Sequence, residues 1–365
     1  MLVYMNADND LEQFGILNMN QMEVVGSTSR VKIVVQIDRS PSYDSSNGNW
    51  SDTRRYLITK DSNSQLIQSQ LVEDMGEVDM GNPDSLRDFV EWGQQNYPAN
   101  RYALVIWNHG SGWRTASVSG GAIPKAVSYD DTNNSQIETV DLPAALATNT
   151  RLDLVAFDAC DMQMLEVLYE MRNSAGVIVG SEGATPGDGY PYDRWLRRLL
   201  SNPTMSSESL GSTMVTEYVN YYSGAAEVTQ SAIRTNRIPS VAAAADQLAD
   251  ALIPHADSDA NALAAARNAA QAYDYPEYKD LVHYSQLTKQ RIGDQAVADA
   301  ADALAAAVEQ AVIREAHTGS SLSNSHGLSI WAPSPLEYSS RSESYGALEC
   351  SADYSWDEWL GSQTQ

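Results

Sequence analysis

The stretch LDLVAFDACDMQMLEVLYEM, residues 152–171, predicts the fold of the whole chain. Its first six residues form an apolar run typical of a buried strand, and apolar residues at helical spacing from Met164 onward predict a helix after it. A strand-to-helix turn exposes a side chain at the carboxyl edge of a parallel sheet. Cys160 lies in this turn.

A second stretch of the same kind lies upstream. The apolar run at residues 102–107 is followed by Asn108, His109 and Gly110. If both runs are strands of one parallel sheet, His109 and Cys160 project from the same edge. A thiol and an imidazole brought together in this way form a nucleophile–base pair.

Strands and helices alternate over the first two thirds of the chain, which predicts a doubly wound, mostly parallel α/β sheet with helices on both faces. From Val241 to Glu315 the composition shifts to alanine-rich helices, the last of which is predicted over Asp294–Glu315. We therefore predict an α/β domain over residues 1–238 and a helical C-terminal part over residues 239–365. A strand near residues 327–331 in the second part is expected to pack back on the core.

The net charge of the chain limits the kinds of partner that it can bind. The net charge is −25, from 48 acidic and 23 basic residues, so binding to nucleic acid is not expected. A negative surface instead attracts cationic substrates. Lysine is scarce, with 5 Lys against 18 Arg. This indicates a protein adapted to high salt or an ordinary acidic secreted protein, and charge alone does not separate the two.

Cysteine usage argues against a disulfide-rich scaffold, and hydropathy argues against a membrane-spanning protein. The two cysteines, Cys160 and Cys350, do not form a disulfide framework, and Cys350 is predicted to be structural. No segment approaches the roughly 20 apolar residues of a membrane span. The chain begins without a basic-then-apolar leader, so the N-terminus does not show its compartment.

The candidate residues also have plainer interpretations. A free cysteine is often only a small buried hydrophobe, and His109 could simply end a strand. Asp158 and Asp161 flank Cys160 and would raise the pKa of its thiol, so a reactive thiolate would need His109 and the start of the following helix to offset them. Gly110 allows a tight turn whose N–H could face a bound carbonyl oxygen.

Motifs for other chemistries are missing. The sequence contains no HExxH, no zinc-spaced Cys/His cluster, no GxSxG and no GxGxxG. Asp8 and Asp10, with Asn6 and Asn9, could hold a hard cation, but the EF-hand spacing is absent. Capping of the next helix is the favoured interpretation of these residues.

Five motifs together resemble the clostripain family of cysteine peptidases. They are YMNADNDLE, VIWNHGSGW, VAFDACDMQMLEV, VGSEGATPGDGYPYD and HGLSIWAP, and they occur in the family's order over residues 1–335. The resemblance implies a caspase-like fold, in which helices sandwich a sheet and a His-Gly pair and a Cys lie at adjacent strand ends. Residues 1–238 would then be the caspase-like catalytic domain.

The resemblance also implies roles for single residues. His109 would be the general base and Cys160 the nucleophile, and the N–H groups of Gly110 and Cys160 would form the oxyanion hole. Asp158, two residues before the cysteine, would bind a substrate Arg or Lys. Asp188 in the glycine-rich loop would be a second acid of that pocket, or else a plain turn residue.

Further expectations concern maturation and cofactors. Family members often cut themselves in the loop between the histidine and cysteine strands, which makes Lys125 the predicted processing residue and Arg114 the second choice. Some relatives need calcium. The sequence itself requires no cofactor, although its acidic stretches permit calcium.

We therefore predict a secreted or envelope-associated cysteine endopeptidase, monomeric, that cleaves protein or peptide substrates after Arg, with Lys as the alternative. One competing hypothesis is a catalytically silent relative that uses the same fold to bind partners. Another is a doubly wound domain, unrelated to peptidases, that binds a small ligand at the switch point of the sheet.

Overall fold

The computed structural model describes residues 1–114 and 126–364. Lys125, the predicted processing residue, lies outside these ranges. Arg114, the second choice, is buried and paired with Glu277. None of the helices in the described residues is both long and apolar enough to cross a membrane.

The strands of the described residues follow the chain in the order β1 (Leu2–Ala7), β2 (Val34–Arg39), β3 (Thr53–Leu57), β4 (Gln70–Gly76), β5 (Ala103–Trp107), β6 (Val127–Asp130), β7 (Ser135–Ile137), β8 (Leu152–Asp158), β9 (Ala175–Gly180), β10 (Thr229–Arg234), β11 (Tyr278–Asp280), β12 (Val312–His317) and β13 (Ser329–Trp331).

The α-helices are α1 (Glu12–Glu23), α2 (Pro83–Asn96), α3 (Leu142–Ala145), α4 (Leu165–Glu170), α5 (Tyr192–Ser201), α6 (Ser207–Tyr222), α7 (Ile238–Leu252), α8 (Ala260–Ala269), α9 (Leu281–Ile292), α10 (Gln295–Ala311), α11 (Pro335–Tyr345), α12 (Glu349–Asp353) and α13 (Trp356–Ser362).

Within the described residues, nine strands form one sheet in the order β12-β10-β9-β8-β5-β1-β2-β3-β4. The five central strands, from β9 to β2, are parallel, and two antiparallel strands extend the sheet at each edge. A parallel sheet needs apolar cover on both faces. The continuous apolar runs of the sequence meet this requirement in the structure.

The two faces of the sheet pack into two separate cores. Along β1, Leu2 and Tyr4 belong to one buried cluster, whereas Val3 and Met5 belong to the other. This division follows from the alternation of side chains along a strand. Helices α1, α5 and α6 cover one face, and the alanine-rich helices α7 and α10 lie in the core on the other face.

The C-terminal part contributes a strand that the sequence did not predict. A helix was expected to continue to residue 315, but α10 ends at Ala311 and β12 pairs antiparallel with β10. The open edge of β10 offers unpaired backbone groups, and the β-branched pair Val312 and Ile313 suits a strand.

The expected strand near residues 327–331 is β13, which pairs with β11 in a small separate sheet. The division at residue 238 stays a prediction.

Candidate active site

The ends of β5 and β8 lie side by side, which sets the geometry of the site. Trp107 and Asp158 are register partners, and the N–H of Asn108 donates to the Asp158 carbonyl oxygen at 3.2 Å. His109 and Cys160 therefore follow their strands by the same number of residues and lie at the same edge of the sheet. A side chain at Gly110 would collide with the Cys160 carbonyl oxygen, so this contact requires glycine.

Asn108 fixes the backbone that carries His109. Its side-chain N–H donates to the carbonyl oxygens of Asn6 at 2.6 Å and Tyr129 at 2.9 Å. Its own side-chain oxygen accepts the His109 N–H at 2.6 Å. The buried Asn108 side chain thus ties the histidine loop to β1 and β6.

A carboxylate that the sequence did not identify lies against the histidine. Nε2 of His109 is 2.6 Å from Oδ1 of Asp10, and the two side chains are 27% and 59% exposed. An ionised carboxylate only accepts hydrogen bonds, so this contact favours the tautomer of His109 that carries its proton on Nε2. Capping of α1 by Asp8 or Asn9 was the favoured interpretation of this segment, and it is wrong, because the N-cap position is Leu11 and no side chain caps the helix.

Cys160 has a protonated thiol at rest. Burial raises the pKa of the thiol to about 12, and the negative charges of Asp161, Asp274 and Asp158 add to this effect. The Thr185 N–H, which donates to Sγ at 3.3 Å, opposes the shift only in part. The helix that a reactive thiolate would need to offset these charges begins at Leu165, five residues after Cys160, and is only six residues long.

Two backbone N–H donors near the thiol have no acceptor among the described residues. Within residues 1–114 and 126–364, neither the Gly110 N–H nor the Cys160 N–H donates a hydrogen bond. Buried or part-buried N–H groups without partners are uncommon in folded proteins. These two are available to a ligand oxygen, as an oxyanion hole requires.

Asp158 is a buried carboxyl group with one free oxygen. It is 4% exposed, and its Oδ2 accepts from the Tyr190 N–H at 3.0 Å and the Tyr192 hydroxyl at 2.9 Å. Its Oδ1 has no hydrogen-bond partner in the described residues. Burial raises the pKa of Asp158 to about 7, although both hydrogen bonds act to lower it. Such a group is suited to bind a buried cation.

Asp188, the second predicted acid, lies in the same neighbourhood. Asp158 and Asp188 both raise the pKa of Tyr222, after the larger effect of its burial. The Tyr222 hydroxyl donates to the Gly189 carbonyl oxygen at 2.7 Å. A side chain at Gly189 would lie 2.7 Å from Oδ2 of Asp158, and its φ of +64° also favours glycine. The glycine-rich loop therefore packs directly against the Asp158 carboxyl group.

The chain is similar to known peptidases along its sequence. The model of the clostripain family, Peptidase_C11, matches residues 3–362. Clostripain of Hathewaya histolytica is 29% identical over 229 residues, which are 57% of this chain and 43% of that protein. The match thus spans less than half the length of that relative.

Solved structures are similar to this chain in fold. One is an inactive zymogen C11 protease from Parabacteroides distasonis, with a TM-score of 0.73, 21% identity, and coverage of 97% of this chain and 96% of that one. Another is a secreted C11 cysteine protease from Bacteroides thetaiotaomicron in complex with an irreversible peptide inhibitor, with a TM-score of 0.70, 22% identity, and coverage of 99% and 97%. The predicted caspase-like α/β fold is confirmed, and an unrelated ligand-binding domain is excluded.

Proposed function

This chain belongs to the clostripain family, and from that premise we propose that it is a cysteine endopeptidase that cleaves after Arg, with Lys as the alternative. The observation that carries the proposal is Asp158. Its buried carboxyl group, whose Oδ1 has no hydrogen-bond partner among the described residues, lies two residues before a thiol at the end of β8. A desolvated carboxylate of this kind binds a guanidinium far better than an uncharged side chain.

Binding of the basic side chain is the first step of the proposed mechanism. The guanidinium donates to Oδ1 of Asp158, with the Asp188 carboxylate as a second acceptor. The scissile carbonyl oxygen then accepts hydrogen bonds from the N–H groups of Gly110 and Cys160. This arrangement places the carbonyl carbon next to Sγ and fixes its orientation before reaction.

Acyl transfer follows in two stages. Nδ1 of His109 removes the thiol proton as Sγ bonds to the carbonyl carbon, and the two N–H groups stabilise the oxyanion. The C–N bond breaks as His109 gives its proton to the leaving amine. A water molecule, deprotonated by His109, then attacks the thioester, and the Cys160 thiolate leaves and regains a proton. Asp10 would stabilise the imidazolium that forms in each stage.

The proposal predicts a pH-dependent preference for Arg. Asp158 must be ionised to attract a guanidinium, and its pKa is raised to about 7 in the free protein. The ratio of kcat/KM for an Arg peptide to that for its citrulline analogue should therefore rise about tenfold between roughly pH 6 and pH 8. The ratio to the neutral isostere cancels any effect of pH that acts equally on both substrates. A ratio that does not change with pH would contradict the role of Asp158.

The first experiment is a panel of fluorogenic peptides that differ only at the residue before the scissile bond. We expect turnover of the Arg peptide and slower turnover of the Lys peptide. Activity on the Gln and Leu peptides should be lower than on the Arg peptide by about 10²-fold or more. An irreversible peptidyl ketone carrying Arg should also add its mass to the tryptic peptide that contains Cys160. A folded sample that neither turns over any peptide nor takes up the ketone would favour the catalytically silent binding relative.

The same proposal extends to location and assembly. We propose a secreted or envelope-associated enzyme, in line with the Bacteroides relative described as secreted. The thiol mechanism uses only side chains and backbone groups, so we propose that the chemical step needs no cofactor. The monomeric state and the adaptation to high salt stay predictions.

A further inference from the structure

Two buried cationic side chains lie together in the helical C-terminal part of the chain. Arg267, in the last turn of α8, is 8% exposed, and Lys279, in the middle of β11, is 5% exposed. The segment between them folds back on itself, because Ala272 and Lys279 form an antiparallel bridge and the Asp280 N–H donates to the Gln271 carbonyl oxygen at 3.0 Å. We call Arg267 and Lys279 the cation pair.

The cation pair has no counter-ion in the part of the chain that the structure describes. No carboxylate there forms an ion pair with either side chain. Burial lowers the pKa of Lys279, and the positive charge of Arg267 lowers it further, with no negative charge opposing either effect. Two neighbouring buried charges of one sign are costly, although the chain carries 48 acidic residues that could have paired with them.

The acidic residues of the same segment face other partners. Glu277 pairs with Arg114, and the Asp280 carboxylate accepts N–H groups from α9 and from the residues before β13. Asp274 lies close enough to Cys160 to raise the pKa of its thiol, after the larger effect of burial. The cation pair is therefore a local region of positive potential in a chain whose net charge is −25.

Hydrogen-bond donors of the cation pair are left unused. Nε of Arg267 has no acceptor among the described residues, whereas its Nη2 donates to the side-chain oxygen of Gln363. Nζ of Lys279 makes no hydrogen bond in the same residues, and it is not sealed from solvent. The buried Tyr284 hydroxyl of α9 also lacks an acceptor there. Burial raises the pKa of Tyr284, and the nearby charge of Arg267 opposes this effect.

We infer that the cation pair binds a small tetrahedral oxyanion of the phosphate or sulfate type. An Arg guanidinium offers a planar fork of N–H donors, and a Lys ammonium is a point charge common in phosphate sites. Donors that come from α8, β11 and α9 suit an anion with oxygens on several sides, whereas a carboxylate has two oxygens in one plane. Both cations are buried too deeply to receive an acidic protein surface, so the ligand is small.

The site lies at the base of a segment that contacts the candidate active site. Within this segment, the Tyr273 hydroxyl donates to the side chain of Glu182, just after β9, at 2.8 Å. The Tyr278 hydroxyl donates to the carbonyl oxygen of Ser111, in the histidine loop, at 2.6 Å. A bound oxyanion would hold the two ends of this segment together beneath both contacts. The inference does not depend on the peptidase activity.

The test measures anion binding and stability, without an activity assay. Dialysed protein is titrated with sodium phosphate by calorimetry at a constant ionic strength of roughly 0.15 M, set with sodium gluconate, and thermal unfolding is recorded in parallel. We expect one phosphate per chain and an unfolding temperature that rises to saturation, since at about 100 times Kd the ratio of folded to unfolded protein rises about 100-fold. Sulfate should compete with phosphate. Acetate or chloride that binds as tightly as phosphate would overturn the assignment to a tetrahedral oxyanion.

Lys279→Met keeps an unbranched side chain and removes its charge. It should raise the Kd for phosphate by about tenfold or more, because a hydrogen bond to a charged group is lost. Without phosphate it should unfold at the same temperature as the parent or higher, since repulsion from Arg267 is relieved. Its unfolding temperature should gain less from phosphate than that of the parent. Arg267→Gln tests the same site if Lys279→Met does not fold.

Arg291→Gln is the matched control, because it removes one exposed cation at the end of α9. This variant should bind phosphate as the parent does. No saturable binding by the parent, or equal binding by the parent and a folded variant of the cation pair, would overturn the inference. A loss of binding in Arg291→Gln as large as that in Lys279→Met would also overturn it and indicate diffuse attraction of anions to surface cations.

Discussion

Replacing Cys160 with alanine is expected to lower kcat for hydrolysis of an Arg peptide by about 10⁴-fold or more. The change removes the atom that forms the covalent bond to the substrate, while Asp158 and the two N–H groups remain. Substrate binding should therefore change little, so KM or the affinity for a non-reactive Arg peptide should stay close to the parent value. Steady-state kinetics and equilibrium binding of that peptide measure the two effects separately.

The second cysteine provides a matched control for this variant. Cys350 is buried in α12, and burial raises the pKa of its thiol well above the ordinary value. Cys350→Ala should keep the activity of the parent and its labelling by the Arg ketone. If Cys350→Ala abolished hydrolysis in a folded protein and Cys160→Ala did not, the proposed nucleophile would be wrong.

Replacing Asp158 with asparagine is expected to lower kcat/KM for Arg peptides by about 10²- to 10³-fold, because loss of one partner of a buried charge pair costs about 2–5 kcal/mol. Asparagine has nearly the same shape, and its side-chain oxygen can still accept from the Tyr190 N–H and the Tyr192 hydroxyl. Activity on the citrulline peptide should change less than about threefold. Kinetics on the pair of peptides at about pH 8 checks this difference.

Stability offers an independent check on Asp158→Asn. The pKa of Asp158 is raised in the folded protein, so its charged form destabilises the fold above the unfolded pKa of 3.8. A neutral side chain removes that cost, and the variant should unfold at the same temperature as the parent or higher at about pH 8. Asp188→Asn is the comparison for the half-buried second acid, with a smaller loss of Arg selectivity. Equal losses on Arg and citrulline peptides would refute a specific charge pair at Asp158.

The features predicted correctly from sequence are those with local signals. Apolar runs identified β5 and β8, and His109 and Cys160 lie just after these two runs. Parallel strands in register bring their carboxyl ends to one edge, so local pattern and general sheet geometry sufficed for this pair. The identity of Gly110 was explained only by the structure, which shows the Cys160 carbonyl oxygen at the place of a side chain.

Features formed by distant segments were not predicted. The contact between Asp10 and His109 joins residues 99 positions apart, and no periodicity reports such a pair. The left-handed turn at Asp161, with φ of +58°, lies between Cys160 and α4 and had no signal in the sequence. Tertiary contacts decided each of these features.

The position of β12 has a consequence for biosynthesis. The residues of the candidate active site all precede residue 238. Among the described residues, however, β10 pairs on its outer side only with β12, which emerges from the ribosome after the helices α7 to α10. Until then the nascent chain presents an unpaired strand edge, the kind of surface that promotes aggregation. Synthesis of the helical segment therefore delays the pairing of this edge. A chain truncated before β12 would keep the outer edge of β10 unpaired.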